Sequence, residues 1–275
     1  MTVAFSPVPA PVMVARGEGP LILAMPHAGT HVPPEIYAAL NAEGRTLRDA
    51  DWHVDRLYDG LAPRATIVRA TFHRYVIDAN RDPAGASLYP GQNTTGLVPL
   101  TNFDGAPIWT AAPDAAEIAR RRADCHVAYH AALQGEIARV KARHGVAILY
   151  DCHSIRSRIP FLFDGDLPDL NIGTNMGSTC DPRVEGAVAA IAARSGFSHV
   201  VNGRFRGGWT TRHYGRPGGG VHAIQMEIAQ RRYLASETPP FAYDRPRAEK
   251  LRATLCEILG GLEELAPRLA EKAGA

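Results

Sequence analysis

Short apolar runs recur along the 275-residue chain and alternate with longer stretches of helical period. "LILAM" (21–25), "ATIVRA" (65–70), "RYVID" (74–78), "VAILY" (146–150) and "HAIQMEI" (222–228) read as strands, and "SHVVNG" (198–203) as a shorter one. Continuous apolar runs of this length suit strands covered on both faces. Four segments read as helices. Residues 113–145 open on Pro113 and Asp114 and stop at Gly145, and 181–196 has Asp181 as N-cap, Pro182 at the first helical position and Gly196 as the stop. The C-terminal helix lies within 245–270, with an interruption expected at Gly260–Gly261, and another runs through "DADWHVDRLYDGLA" (49–62). Alternation of this kind predicts an α/β fold, and the length accommodates one large domain or two small ones.

Two long polar segments fit neither period: residues 80–109 and 202–220. Irregular segments of such length in a compact domain are commonly functional, so both are expected to wall a site. Composition excludes more than it identifies. Hydrophobic residues make up 45% and charged residues 21%, and the formal net charge is +2, so neither disorder nor a general affinity for nucleic acid is expected. Four scattered cysteines without a CxxC pair read as reduced thiols of a cytosolic protein. The Pro-rich start is not read as a signal peptide, and no apolar run is long enough to span a bilayer.

Chemistry gathers where strands end. "LILAM" leads to His27, "VAILY" to His153, and "RYVID" to Asn80 and Arg81, while Glu227 sits near the end of "HAIQMEI". A lone imidazole after a strand is ordinarily a core or surface histidine. Two imidazoles, a carboxylate and a guanidinium at strand ends are a constellation, because ligands of open α/β sheets bind outside the carboxyl ends of the strands. Two histidines and one carboxylate form a common catalytic zinc set with a position left for water. Asp51 is the chosen third ligand, with Asp49, Asp55 and Glu35 as rivals.

"MPHAGTHVP", "DADWHVDRLYD", "HRYVIDANRDP", "LYPGQNTTGLVP", "DCHSIRSRIPFLFDG", "DLNIGTNMGSTC", "VVNGRFRGGWTTRHYGRP" and "HAIQMEIAQRRYL" follow one another along the chain. In this order they closely resemble the N-formylglutamate amidohydrolase (N-formylglutamate deformylase) family over roughly residues 20–235. The resemblance implies a single domain spanning 1–275, with a mixed, mostly parallel sheet flanked by helices, distantly similar to zinc carboxypeptidases and aspartoacylases. The H-x-x-E ligand pair of the carboxypeptidases is absent, because Thr30 stands three residues after His27. The wider resemblance points to Asp51 in its place.

The activity so implied is metal-dependent hydrolysis of N-formyl-L-glutamate to formate and L-glutamate, in histidine degradation. The cofactor is one divalent ion, Zn²⁺, on His27, Asp51 and His153. Glu227 is the expected general base, and Arg74 the partner of the oxyanion, with Arg156 as its rival. The substrate carries two carboxylates, for which arginine forks are suited. Asn80 and Arg81 resemble the Asn-Arg pair that holds a substrate carboxylate in the carboxypeptidase-like relatives, and Arg206, Arg212 and Arg216 are candidates for the other. Partners are thus a small dicarboxylate, with no nucleic acid and no membrane; the oligomeric state stays open. Other readings are a related N-acylamino-acid deacylase, a carboxypeptidase, or a carboxylate-binding protein without chemistry.

Several features are set aside. His126 and His130 have zinc-like i, i+4 spacing, but Val127 occupies the acid position of H-E-x-x-H, so they read as a helix face. "RRR" (120–122) reads as a solvated stripe. Cys152 has no base beside it, and Ser154 lacks the G-x-S-x-G context. Gly218–Gly220 match no phosphate loop and read as a hairpin or lid.

Overall fold

A computed structural model describes residues 9–87 and 91–273, with side chains described as far as residue 271. The first residues of the Pro-rich start, and 88–90 of the loop at 80–109, lie outside the described residues. Seven strands form one sheet: β1 (Val12–Ala15), β2 (Leu21–Met25), β3 (Thr66–Ala70), β4 (Ala147–Ile155), β5 (Leu170–Gly173), β6 (His199–Val201) and β7 (Val221–Ala229). Their spatial order is β1-β3-β2-β4-β7-β5-β6. The pairs β3–β2, β2–β4, β4–β7 and β5–β6 are parallel; β1–β3 and β5–β7 are antiparallel. The expected mixed, mostly parallel α/β sheet is what the chain forms.

Helices cover both faces. On one lie α2 (Val54–Tyr58), α5 (Pro182–Arg194) and α7 (Arg245–Ala273), packed on Leu21, Leu23, Ile148, Tyr150, Ile224 and Met226. On the other lie α1 (Pro34–Ala39), α4 (Ala128–His144) and α6 (Trp209–Tyr214), packed on Ile22, Ala24, Ala147, Leu149 and Ala223. Alternate residues of each strand serve opposite faces, as the two-residue period requires. Helix α3 (Ala115–Arg121) passes through one wide π-turn, Arg122–Val127, into α4. Asp114 and Asp181 cap α3 and α5, and Gly145, at φ +72°, ends α4.

Four sequence expectations need correction. "RYVID" (74–78) is not a strand. Arg74 Nη2 meets Asp78 Oδ2 at 2.6 Å, whereas four residues of extended chain span about 13 Å. The backbone instead turns, with Val76 N–H donating to His73 O. The helix expected at 49–62 is only α2, because Asp49–His53 is irregular and His53 takes φ +59°. Helix α7 continues unbroken through Gly260–Gly261, where Gly261 faces Ile191 of α5. Gly261 thus allows close packing of the two helices, whereas Gly260 has open space beside it. Arg121 is no solvated residue: it is buried over Trp109 and paired with Glu117 at 2.8 Å. Strands β1 and β5 were not anticipated, being short runs without a strong pattern. Gly218–Gly220 belong to a tight turn leading into β7.

Candidate active site

The sheet face toward α4 and α6 changes character along its strands. In β4 the residues on this face run Ala147, Leu149, Asp151, His153, and in β7 they run Val221, Ala223, Gln225, Glu227. Apolar positions lie under the helices and polar ones lie at the carboxyl end. Both strands remain regular and buried over all nine residues, so His153 is in the strand rather than past it. His153 is register partner of Glu227, which places the imidazole and the carboxylate side by side. His27 follows β2 in a turn, and its carbonyl accepts from Asp51 N–H at 3.1 Å. That bond carries the irregular 49–53 segment across to the histidines.

His27, Asp51 and His153 each offer one ligand atom, and the three lie within 4.8 Å of one another. Asp51 Oδ2 is 3.1 Å from His153 Nδ1 and 3.8 Å from His27 Nδ1. Both imidazoles direct Nδ1 inward and have a carboxylate near Nε2: Asp78 Oδ1 is hydrogen-bonded to His27 at 2.7 Å, and Asp151 Oδ1 lies 3.1 Å from His153, whose Nε2 also meets Asn80 Nδ2. Carboxylates behind ligating histidines are a recurrent feature of metal sites. His27 Nδ1 is a buried nitrogen without a hydrogen-bond partner, as a ligand atom should be. The residues present therefore fit a divalent cation.

The charge balance agrees. Asp51, Asp78, Asp151 and Glu227 are buried around the site and Arg74 and Arg81 face them, so the carboxyl groups outnumber the guanidinium groups beside them, which favours protons or a cation among them. Burial pushes the Glu227 carboxyl up to about 8. Burial opposes a charge on His153, yet the Asp151 and Asp51 carboxylates prevail and hold it well above the ordinary imidazole value. Burial and then Arg74 lower His27, which favours the neutral form that ligates. Asp78 stays well below the usual carboxylate range, because Arg74, Arg81 and His27 outweigh its burial.

One cavity joins these groups. Its walls include His27, Asp51, His153, Glu227, Arg74 and Arg81. Arg74 is buried, bonded to Asp78, and lies over the Phe103 ring at 4.6 Å. Asn80 reaches His153 Nε2 with its Nδ2 at 3.1 Å, and its Oδ1 accepts from Thr210 N–H at 2.8 Å. Arg81 donates from Nε to Thr95 O at 2.9 Å and from Nη2 to Thr95 Oγ1 at 3.1 Å. Both long polar segments do reach the cavity: 80–109 through Asn80, Arg81, Thr95 and Phe103, and 202–220 through Arg204, Phe205 and Gly208.

The remaining arginines are placed elsewhere. Arg156 donates to Asp104 at 2.8 Å, beside buried Asp49, and Arg206 is exposed with its Nε on Gly203 O. Arg212 and Arg216 border a separate depression by Gly218 and Gly219. Of the rival carboxylates, Asp49 is held by Tyr75 Oη–H and Phe103 N–H, Asp55 pairs with Arg69, and Glu35 is exposed. Cys152 faces the opposite core, where burial raises its thiol, and Ser154 is tied to Tyr233. His126 and His130 are buried, and their Nε2 atoms lie 3.1 Å from Arg81 O and 2.8 Å from Ala79 O. They brace the Asn80–Arg81 turn, a role that spacing alone does not reveal. Asp78 and Arg204 were overlooked; the only sign of Asp78 was an acid two residues before Asn80 of the Asn-Arg pair.

The sequence matches the profile of FGase, N-formylglutamate amidohydrolase, over residues 19–234. The chain belongs to the N-formylglutamate amidohydrolase family. It is therefore an amidohydrolase. An N-formylglutamate deformylase of Pseudomonas aeruginosa is 48% identical over 251 residues, covering 90% of this chain and 94% of that one. One from Pseudomonas putida is 43% identical, with 90% and 93% covered. Among solved structures, the family's N-formylglutamate amidohydrolase from Ralstonia eutropha JMP134 superposes with a TM-score of 0.79 at 29% identity, covering 94% and 99% of the two chains. A gene product of Agrobacterium tumefaciens shares the fold at 20% identity, with a TM-score of 0.71 over 94% and 96%.

Proposed function

We propose that this amidohydrolase cleaves N-formyl-L-glutamate to formate and L-glutamate, with one divalent ion, Zn²⁺, held by His27, Asp51 and His153. The observation that carries the reading is the meeting of this ligand set, Glu227 and the Arg81 guanidinium in one cavity at the carboxyl end of the parallel strands. Two relatives named as N-formylglutamate deformylases, similar over nine-tenths of the chain, support the substrate. No helix among the described residues is long and apolar enough to cross a membrane. A cytoplasmic role in histidine degradation completes the proposal.

When bound, such an ion activates water, polarises a carbonyl, and adds the positive charge that favours the ionised form of Glu227. Glu227 takes the proton of the attacking water on a carboxylate oxygen and returns one to the amine nitrogen as the C–N bond breaks. Arg74, fixed by Asp78 and Phe103, faces the negative charge that develops on the formyl oxygen. Asn80 and Arg81 hold the carboxylate next to the scissile amide. The test is formate release from N-formyl-L-glutamate, compared with release from N-acetyl- and peptidyl-glutamate, on protein of measured metal content. Preference for an acetyl or peptidyl substrate would reassign it to a deacylase or carboxypeptidase. Ligand binding without turnover by metal-replete protein would leave a carboxylate-binding protein.

A further inference from the structure

The cavity has a third guanidinium, at its outer wall. Arg204 donates from Nε to Leu162 O at 2.9 Å and from Nη2 to Asn93 O at 3.2 Å. These two main-chain carbonyls orient the guanidinium plane at the cavity wall, and a planar fork suits a ligand carboxylate. Arg81 is held by the carbonyl and the hydroxyl of Thr95, two residues from Asn93. One short strip, Asn93–Thr95, thus tethers both arginines and also lines the cavity. Two residues of chain span at most about 7 Å, and four C–C bonds of ~1.52 Å separate the carboxyl carbons of glutamate by about 5 Å. The Cα atoms of the two tethering residues thus lie no more than about 7 Å apart, a span of the order of a five-carbon dicarboxylate.

The ends are distinguishable. Arg81 belongs to the metal-site network, 3.8 Å from Asp78 Oδ2 and next to Asn80, which touches His153. Arg204 is anchored outside that network, beside Leu162 and Phe205, which also line the cavity and offer apolar surface for methylenes. We propose that Arg204 is the specificity-determining residue for the distal, side-chain carboxylate, leaving the α-carboxylate to Arg81. This rests on the function proposed above and adds which residue selects glutamate over neutral or shorter formylamino acids.

The experiment compares wild type, Arg204→Gln and Arg204→Lys on N-formylglutamate and N-formylglutamine, and measures binding of glutarate and butyrate by calorimetry. The expected result is that the ratio of kcat/KM for N-formylglutamate over N-formylglutamine falls by roughly 30-fold or more in Arg204→Gln, the usual consequence of removing a desolvated charge partner. Arg204→Lys should recover only part of it, because the fork is lost. The preference for glutarate over butyrate should fall in parallel. An equal loss on both substrates, with the glutarate preference intact, would mean that Arg204 only supports its loop and would overturn the assignment. The calorimetric arm does not depend on turnover. If wild type releases no formate but loses its glutarate preference in Arg204→Gln, the deformylase reading fails and the role of Arg204 stands.

Discussion

Asp78 Oδ1 lies 2.7 Å from His27 Nε2, and this contact turns His27 Nδ1 toward Asp51. The other oxygen of Asp78 holds Arg74 at 2.6 Å. One buried carboxylate therefore orients both a metal-site imidazole and the cavity's innermost guanidinium. Asp78→Asn should lower metal affinity by about 10- to 100-fold, the range for losing such a backing group. Chelator competition measures it, and an unchanged affinity would refute the orienting role. His27→Ala and His153→Ala should go further and remove metal and activity together.

Glu227→Gln separates chemistry from structure. It preserves the shape and leaves His27, Asp51 and His153 untouched, so metal content should not change. kcat should fall by roughly 10²–10⁴, the range for a positioned general base. Because Gln225 Nε2 is 3.3 Å from Glu227 Oε2, the variant retains a polar neighbour and should fold. Near-normal kcat in fully metallated protein would exclude Glu227 as the base.

Arg81→Lys keeps the charge but loses the fork that Thr95 holds through Nε and Nη2. kcat/KM for N-formylglutamate should drop by a factor equivalent to ~2 kcal/mol or more. Steady-state kinetics decide it; an unaffected value would mean that point charge alone suffices.

His130 spans from Ala79 O to Tyr214 Oη, at 2.8 and 3.0 Å, and packs edge-on against Trp209. His130→Phe keeps the ring and abandons the brace. Asn80 and Arg81 should shift, raising KM and cutting kcat/KM about tenfold or more, since small misplacements of positioning groups are costly. Metal content should stay at the wild-type level. Loss of metal together with activity would instead show general damage to the site.

Removing the metal should make stability fall as pH rises from 7 to 8. Burial raises Glu227 from 4.5 to about 8, so in this window the folded protein holds a proton that the unfolded chain has released. The unfolded state binds fewer protons, and the free energy of unfolding declines with pH. His153, also raised, acts in the same direction, whereas His27, lowered from 6.5, has already released its proton. Restoring the ion should flatten the trend. Melting temperatures with and without chelator across pH 7 to 8 test this, and a rising stability in chelator would contradict the proton assigned to buried Glu227.

The sequence by itself determined the strands β2, β3, β4 and β7 and the capped helices, because continuous apolar runs and Asp114, Asp181 and Gly145 are local signals. It also marked His27, His153 and Glu227 as strand-end chemistry, and singled out Arg81 although the strand assumed before it is a turn, and its ordered motifs marked the family. Only the tertiary structure decided which carboxylate joins the histidines. Asp49 and Asp51 share a segment and a charge, and the difference lies in long-range bonds: Asp51 N–H to His27 O, Asp49 to Tyr75 and Phe103. It likewise decided that "RYVID" turns rather than extends, since an i, i+4 ion pair, buried by packing, outweighs the β preference of Tyr75, Val76 and Ile77. Arg204 rather than Arg206, Arg212 or Arg216 enters the cavity wall for the same reason. Arginines in an irregular segment are equivalent in composition, and the contacts of Arg204 with Leu162 and Asn93, remote in sequence, are what distinguish it.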